Sequence, residues 1–176
     1  MEGNSGLPPA DTPTNMRSHR SAGAVMYRNI LVPIDGSAPS LRGLHEAIKF
    51  SQVTGASVKL IHVVHEVILD AAYVTSLPQE QLIVTLRAGG RKILAQAEAL
   101  AREHNVAVET ELVQTIGARA ADAIIERAKQ WPADLIVMGT HGRRGLRRLA
   151  MGSDAEMVLR SSPVPVLMVR ASPEAA

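Results

Sequence analysis

The chain contains no cysteine. Disulfide staples, thiolate metal sites and cysteine nucleophiles are therefore excluded, and the composition suits a reducing compartment. Aromatic residues are almost as scarce, with only Tyr27, Phe50, Tyr73 and Trp131 in 176 residues. A core must be built from Val, Ile, Leu, Met and Ala. A protein that stacks single-stranded bases on aromatic platforms is disfavoured. No apolar run reaches the roughly 20 residues of a membrane span, and the first residues lack the apolar segment of a secretory signal. The expectation is a cytoplasmic protein with neither a membrane nor a nucleic-acid partner.

What is present points to one α/β domain: apolar residues make up 46% and charged residues 20% of the chain, the proportions of an ordinary globular protein. Formal net charge is +2, yet the segment 139–153 alone carries Arg143, Arg144, Arg147 and Arg148 with no acid, so the rest of the chain is at −2. Basic charge gathered in one loop suggests a local anion site more than a nucleic-acid groove.

Residues 1–25 are rich in Gly, Pro, Ser, Thr, Asn and Ala without apolar period, and read as a disordered extension. Residues 26–171 form the expected folded domain and 172–176 a flexible tail. Asn29–Ile34 is an unbroken apolar run, the pattern of a buried parallel strand, with Pro33 expected at its carboxyl end. A helix over Ala38–Thr54 follows, with Leu41, Leu44 and Ile48 on one face and Gly55 as its stop. Ser57–Val64 reads as a second strand. Gln79–His104 reads as a long helix whose core stripe is Leu82, Leu86, Ile93, Ala97 and Leu100. Gly89-Gly90 interrupts it and predicts a kink or a close packing contact. Val106–Val113 alternates as a half-buried strand near the sheet edge. Ala118–Gln130 is a short helix, Asp134–Met138 a compact strand, Ser153–Arg160 a final helix and Val166–Val169 a last strand. This alternation predicts a doubly wound parallel sheet, which binds ligands at the carboxyl ends of its strands. Pro33-Ile34-Asp35 and Gly139-Thr140-His141-Gly142 should meet there.

Between the strand ending at Met138 and the last helix runs G-x-x-G, nine residues, G-S: Gly139, Gly142, Gly152 and Ser153. Gly139 and Gly142 permit positive φ and close backbone approach. Successive N–H groups there can form an anion nest, and Gly152-Ser153 opens a helix whose free N–H groups form a second anion site. Two such sites flanking one loop suit a polyphosphate. The Walker pattern G-x-x-x-x-G-K-[ST] is absent, and Asp35-Gly36-Ser37 stands where a dinucleotide-binding domain carries G-x-G-x-x-G. Asp35 can cap the first helix, meet the ligand, or do both. His62 and His65 lie three apart on a strand and point to opposite faces, which argues against a shared metal. His141 can reach a phosphate or face solvent.

At these residues the sequence resembles the universal stress protein family over Met26–Arg170. The markers are Asn29-Ile30-Leu31-Val32-Pro33-Ile34-Asp35-Gly36-Ser37, Ile61-His62-Val63, Asp134 through Gly142, and Pro163 through Val169. The spaced glycines match the family's ATP-binding branch. The resemblance implies a five-stranded parallel sheet of order 3-2-1-4-5 in three α/β/α layers, of the adenine nucleotide α hydrolase-like kind. It also implies a homodimer paired through the last strand, 166–169. By carry-over, Pro33, Asp35 and Val63 lie at the adenosine end of ATP. Met138, Gly139, Gly142, Gly152 and Ser153 hold ribose and phosphates, with His141, Arg143 and Asp154 beside them. Mg²⁺ or Mn²⁺ is expected on the phosphates rather than in a protein cage. Asp154 departs from the apolar residue common there, and Gly117-Ala118-Arg119 lacks a proline often found at that turn. The resemblance implies a stress-response regulator with an unidentified protein partner, and it permits slow ATP hydrolysis or autophosphorylation. His141, Asp154, Thr140 and Ser153 are the local groups for such chemistry, and they form no recognisable catalytic set.

Overall fold

The sequence places apolar runs between amphipathic stretches, and the chain folds accordingly. A computed structural model describes residues 27–66, 79–142 and 151–170. The expected extension at 1–25, most of the connector before Gln79, the tail at 172–176, and Arg143, Arg144, Arg147 and Arg148 lie outside those residues. In order, the elements are β1 (Asn29–Pro33), α1 (Ala38–Thr54), β2 (Ser57–Glu66), α2 (Gln79–Glu103), β3 (Val108–Ile116), α3 (Ala120–Gln130), β4 (Leu135–Gly139), α4 (Ser153–Ser161) and β5 (Val166–Val169).

All five strands are parallel, in the order β3-β2-β1-β4-β5. Ile30, Val32 and Ile34 face Leu44, Ala47, Ile48, Leu94 and Ala97 on one side of the sheet. On the other side Leu31, Ile61, Ile136 and Met138 face Ala121, Ile124, Ala128, Ala155 and Val158. Both faces of β1 and β4 are thus covered by helices, which is why their sequences show no polar alternation. At the amino end of the sheet the Asp134 carboxylate accepts the N–H groups of Arg28 (2.7 Å) and Asn29 (3.0 Å), tying the start of β1 to that of β4. Among the described residues no helix is long and apolar enough to cross a membrane.

Two expectations need correction. The third strand starts at Val108 and runs to Ile116, rather than spanning Val106–Val113. Val106 instead ends α2: Asn105 is left-handed (φ 59°), and the Val106 N–H bonds the Ala101 carbonyl at 3.0 Å while Asn105 bonds Arg102 at 2.9 Å. That is a Schellman stop, which uses the valine as its apolar anchor. The core stripe of α2 is also rotated from the expected one. Gly90, Leu94, Ala97 and Ala101 are buried, Leu82, Ile93 and Leu100 are half-buried, and Leu86 is exposed. Gly90 sets this face. A Cβ there would stand 2.6 Å from Leu112 Cδ1 and 2.7 Å from His62 Cδ2, so the helix touches the sheet through a residue with no side chain.

Candidate functional site

The sheet reverses its winding between β2 and β4, the two neighbours of β1, so a crevice opens at the carboxyl ends of β1 and β4. On the β1 side, Pro33 closes the strand. The Ile34 N–H bonds the Ile61 carbonyl at 2.8 Å, and the Ile34 carbonyl accepts from His62 Nδ1 at 2.6 Å. The chain then turns through Gly36, at φ 82°. Ser37 is the N-cap of α1: its Oγ accepts the Ser40 N–H at 3.4 Å. Asp35 is therefore not the cap. Its Oδ1 accepts both the N–H (2.9 Å) and the hydroxyl (2.6 Å) of Ser37 and so orients the residue that is.

On the β4 side the two loop glycines serve different ends, and neither uses the positive φ that glycine permits. Gly139 is buried against α1, where a Cβ would fall 2.7 Å from the Pro39 carbonyl carbon and 2.8 Å from the Ser40 nitrogen. Its lack of a side chain is a packing requirement. Gly142 is exposed, and a Cβ on it would meet Asp35 Oδ2 at 2.7 Å. Between them Thr140 is buried and fastened on two sides, its N–H to Val169 (2.9 Å) and its carbonyl to the Gly152 N–H (2.9 Å). His141 is half-buried, with Nδ1 2.9 Å from the Thr140 hydroxyl.

The Thr140–Gly152 bond folds the far end of the glycine loop back onto its beginning. It sets the amino end of α4 beside Gly142. Gly152 is the N-cap of α4 and, having no side chain, supplies no acceptor to the first turn. Asp154 lies in that turn, where a carboxylate suits the helix dipole. Its Oδ1 accepts the Ala121 N–H at 3.3 Å, so it also serves the amino end of α3.

A cavity of about 940 Å³ opens between these parts, within the range of small-molecule sites, about 300–1,000 Å³. Pro33, Asp35, Val63, Met138, Gly139, His141, Gly142, Gly152, Ser153 and Asp154 all line it. Arg143 lies outside the described residues. The wall also includes residues that the sequence reading did not assign to the site, among them His62, Leu86, Gly89, Gly90 and Ile124. The Gly89-Gly90 interruption was the available signal for the α2 wall. A Cβ on Gly89 would meet nothing within 4 Å, so packing does not account for that glycine. His62 is buried and His65 exposed. No cluster of three or more His, Asp or Glu able to hold a metal occurs among the described residues.

A three-layer α/β/α domain with a cleft at the switch point of a 3-2-1-4-5 sheet is an architecture found in solved structures. The universal stress protein UspA of Lactobacillus plantarum matches with a TM-score of 0.68 and 29% identity, over 82% of this chain and 98% of that one. A universal stress protein solved in complex with cAMP matches with a TM-score of 0.56 and 26% identity, over 84% of this chain and 99% of that one. In sequence, the universal stress protein MJ0531 of Methanocaldococcus jannaschii is 36% identical over 152 residues, 84% of this chain and 85% of that protein. The model of the universal stress protein family matches residues 26–170. The chain belongs to the universal stress protein family.

Proposed function

We propose that the protein binds ATP in this cavity and acts as a nucleotide-dependent stress-response regulator. One observation carries the reading. The Asp35 carboxylate and the side-chain-free amino end of α4 converge on the same cavity, with Gly142 between them. A carboxylate acceptor at one end and main-chain donors at the other suit a nucleoside polyphosphate. The cavity has the size for one, and the missing side chain of Gly142 lets the loop backbone come close to the Asp35 carboxylate. The cAMP bound by a relative is an adenine nucleotide, which supports the choice of base.

In this reading Asp35, Val63 and Pro33 receive the adenosine, and Met138 and Gly139 form the floor. Gly142 and Ser153 present N–H groups to phosphate oxygens, and Gly152, whose own N–H stays on the Thr140 carbonyl, leaves room for them to approach. Arg143 adds charge from the loop, and Mg²⁺ or Mn²⁺ rides on the phosphates through oxygen and water. Binding ranks above turnover because two of the candidate groups for turnover already hold protein partners: Asp154 the Ala121 N–H, His141 the Thr140 hydroxyl. A homodimer through 166–169 is supported by β5 being the sheet's edge, half-buried along all four residues. An edge strand offers unpaired main-chain groups to a second copy.

Native mass spectrometry of the purified protein tests both parts. The expected result is a dimer carrying one ATP per chain. A nucleotide-free monomer in millimolar ATP would overturn the reading, and retention of a cyclic monophosphate would change the ligand assigned.

A further inference from the structure

We propose that His62 is a positioning residue for this site: its imidazole, bonded to the Ile34 carbonyl, fixes the direction in which the chain leaves β1 and so sets where the Asp35 carboxylate stands. The inference rests on the nucleotide reading for its consequence in binding, while its structural content belongs to the free protein.

The register of β1 on β2 ends at Pro33 opposite Ile61. One further bond follows, from the Ile34 N–H to the Ile61 carbonyl at 2.8 Å. A regular parallel ladder would continue with a main-chain N–H of β2 on the Ile34 carbonyl. Here the His62 ring takes that carbonyl, at 2.6 Å. The strand is thus held at its last residue by a side chain, and the next residue, Asp35, is free to turn toward α1. A carbonyl oxygen only accepts, so Nδ1 carries the hydrogen and the tautomer is set by this bond. The ring has little room to swing. It is buried, and on its other side α2 comes so close that a Cβ on Gly90 would lie 2.7 Å from His62 Cδ2. A line of contacts therefore runs from α2 through the ring and the Ile34 carbonyl to Asp35. Beyond it, Asp35 Oδ1 holds Ser37 and Oδ2 stands beside Gly142.

Three substitutions separate the hydrogen bond from the bulk of the ring. Asn places an amide nitrogen near the position of Nδ1. Gln carries its amide one bond too far. Leu fills the volume and donates nothing. In ¹H–¹⁵N NMR of the free protein, His62→Leu and His62→Gln should shift the amide signals of Asp35, Gly36 and Ser37 and speed their hydrogen exchange, while His62→Asn leaves them near wild type. An unmoved turn in His62→Leu, or Asn perturbing it as much as Leu, overturns the proposal; if the Leu variant does not fold, the Asn–Gln pair decides alone. In calorimetry with ATP, His62→Gln and His62→Leu should bind about tenfold more weakly, the scale of one buried hydrogen bond, and His62→Asn within about threefold of wild type. Placed in an Asp35→Asn background, His62→Gln should weaken binding no further, because its effect passes through Asp35. Full additivity would contradict a positioning role. Should wild type take up no ATP, the nucleotide reading fails, and the free-protein spectra still decide the role of His62.

Discussion

The amino ends of α1 and α4 both border one cavity and are finished in opposite ways. Helix α1 is sealed by the protein. Ser37 caps it, Asp35 braces Ser37, and Pro39 in its first turn has no N–H to satisfy. Helix α4 begins at Gly152, which has no side chain with which to cap it. A helix leaves its first N–H groups without intrahelical partners and needs acceptors for them from elsewhere. The difference teaches where the acceptor comes from. At α1 it is built into the sequence as Asp-Gly-Ser. At α4, under the proposed nucleotide binding, a phosphate supplies it.

The largest effect should come from forcing α1 away from the end of β4. Gly139→Val would drive a side chain into the Pro39 and Ser40 backbone of α1, which cannot move as a side-chain end can. The expected destabilisation is about 3 kcal/mol, a fall of roughly 6–12 °C in thermal midpoint by calorimetry. A variant as stable as wild type would mean that Gly139 is there for the ligand alone. A smaller effect should follow from leaving α1 as open as α4. Ser37→Ala removes the cap and the hydroxyl donor to Asp35, and should cost about 1 kcal/mol in denaturant unfolding. No measurable loss would mean the two helix ends do not differ in the way described.

Much of this was legible in the sequence because single residues carried it. Pro33 at the end of β1, Gly55 as the stop of α1 and the unbroken runs of β1 and β4 each have one local physical meaning, and each fell in place. The grouping of Asp35 with Gly142 and Gly152 was legible from spacing and resemblance together. Three features were not. The reason for Gly139 lies in α1, at Ser40, 99 residues earlier in the chain, and an isolated glycine does not say whether it makes room for a ligand or for a helix. The Gly89-Gly90 break announced a close packing contact, which Gly90 makes, but not that its partners would be His62 and Leu112, which is what turns the face of α2. The part played by His62 depends on a bond between residues 28 apart in the chain.

The central claim is that α4 is left uncapped so that a phosphate can cap it, and calorimetric titration of ATP into Gly152→Asp tests it most directly. A Cβ at Gly152 meets nothing nearer than 3.5 Å, and the residue already has the extended backbone of an N-cap (φ −65°, ψ 145°), so the aspartate fits and caps the helix itself. The account predicts a thermal midpoint equal to or slightly above wild type, with ATP bound at least about tenfold more weakly. An unchanged affinity in that variant would contradict it.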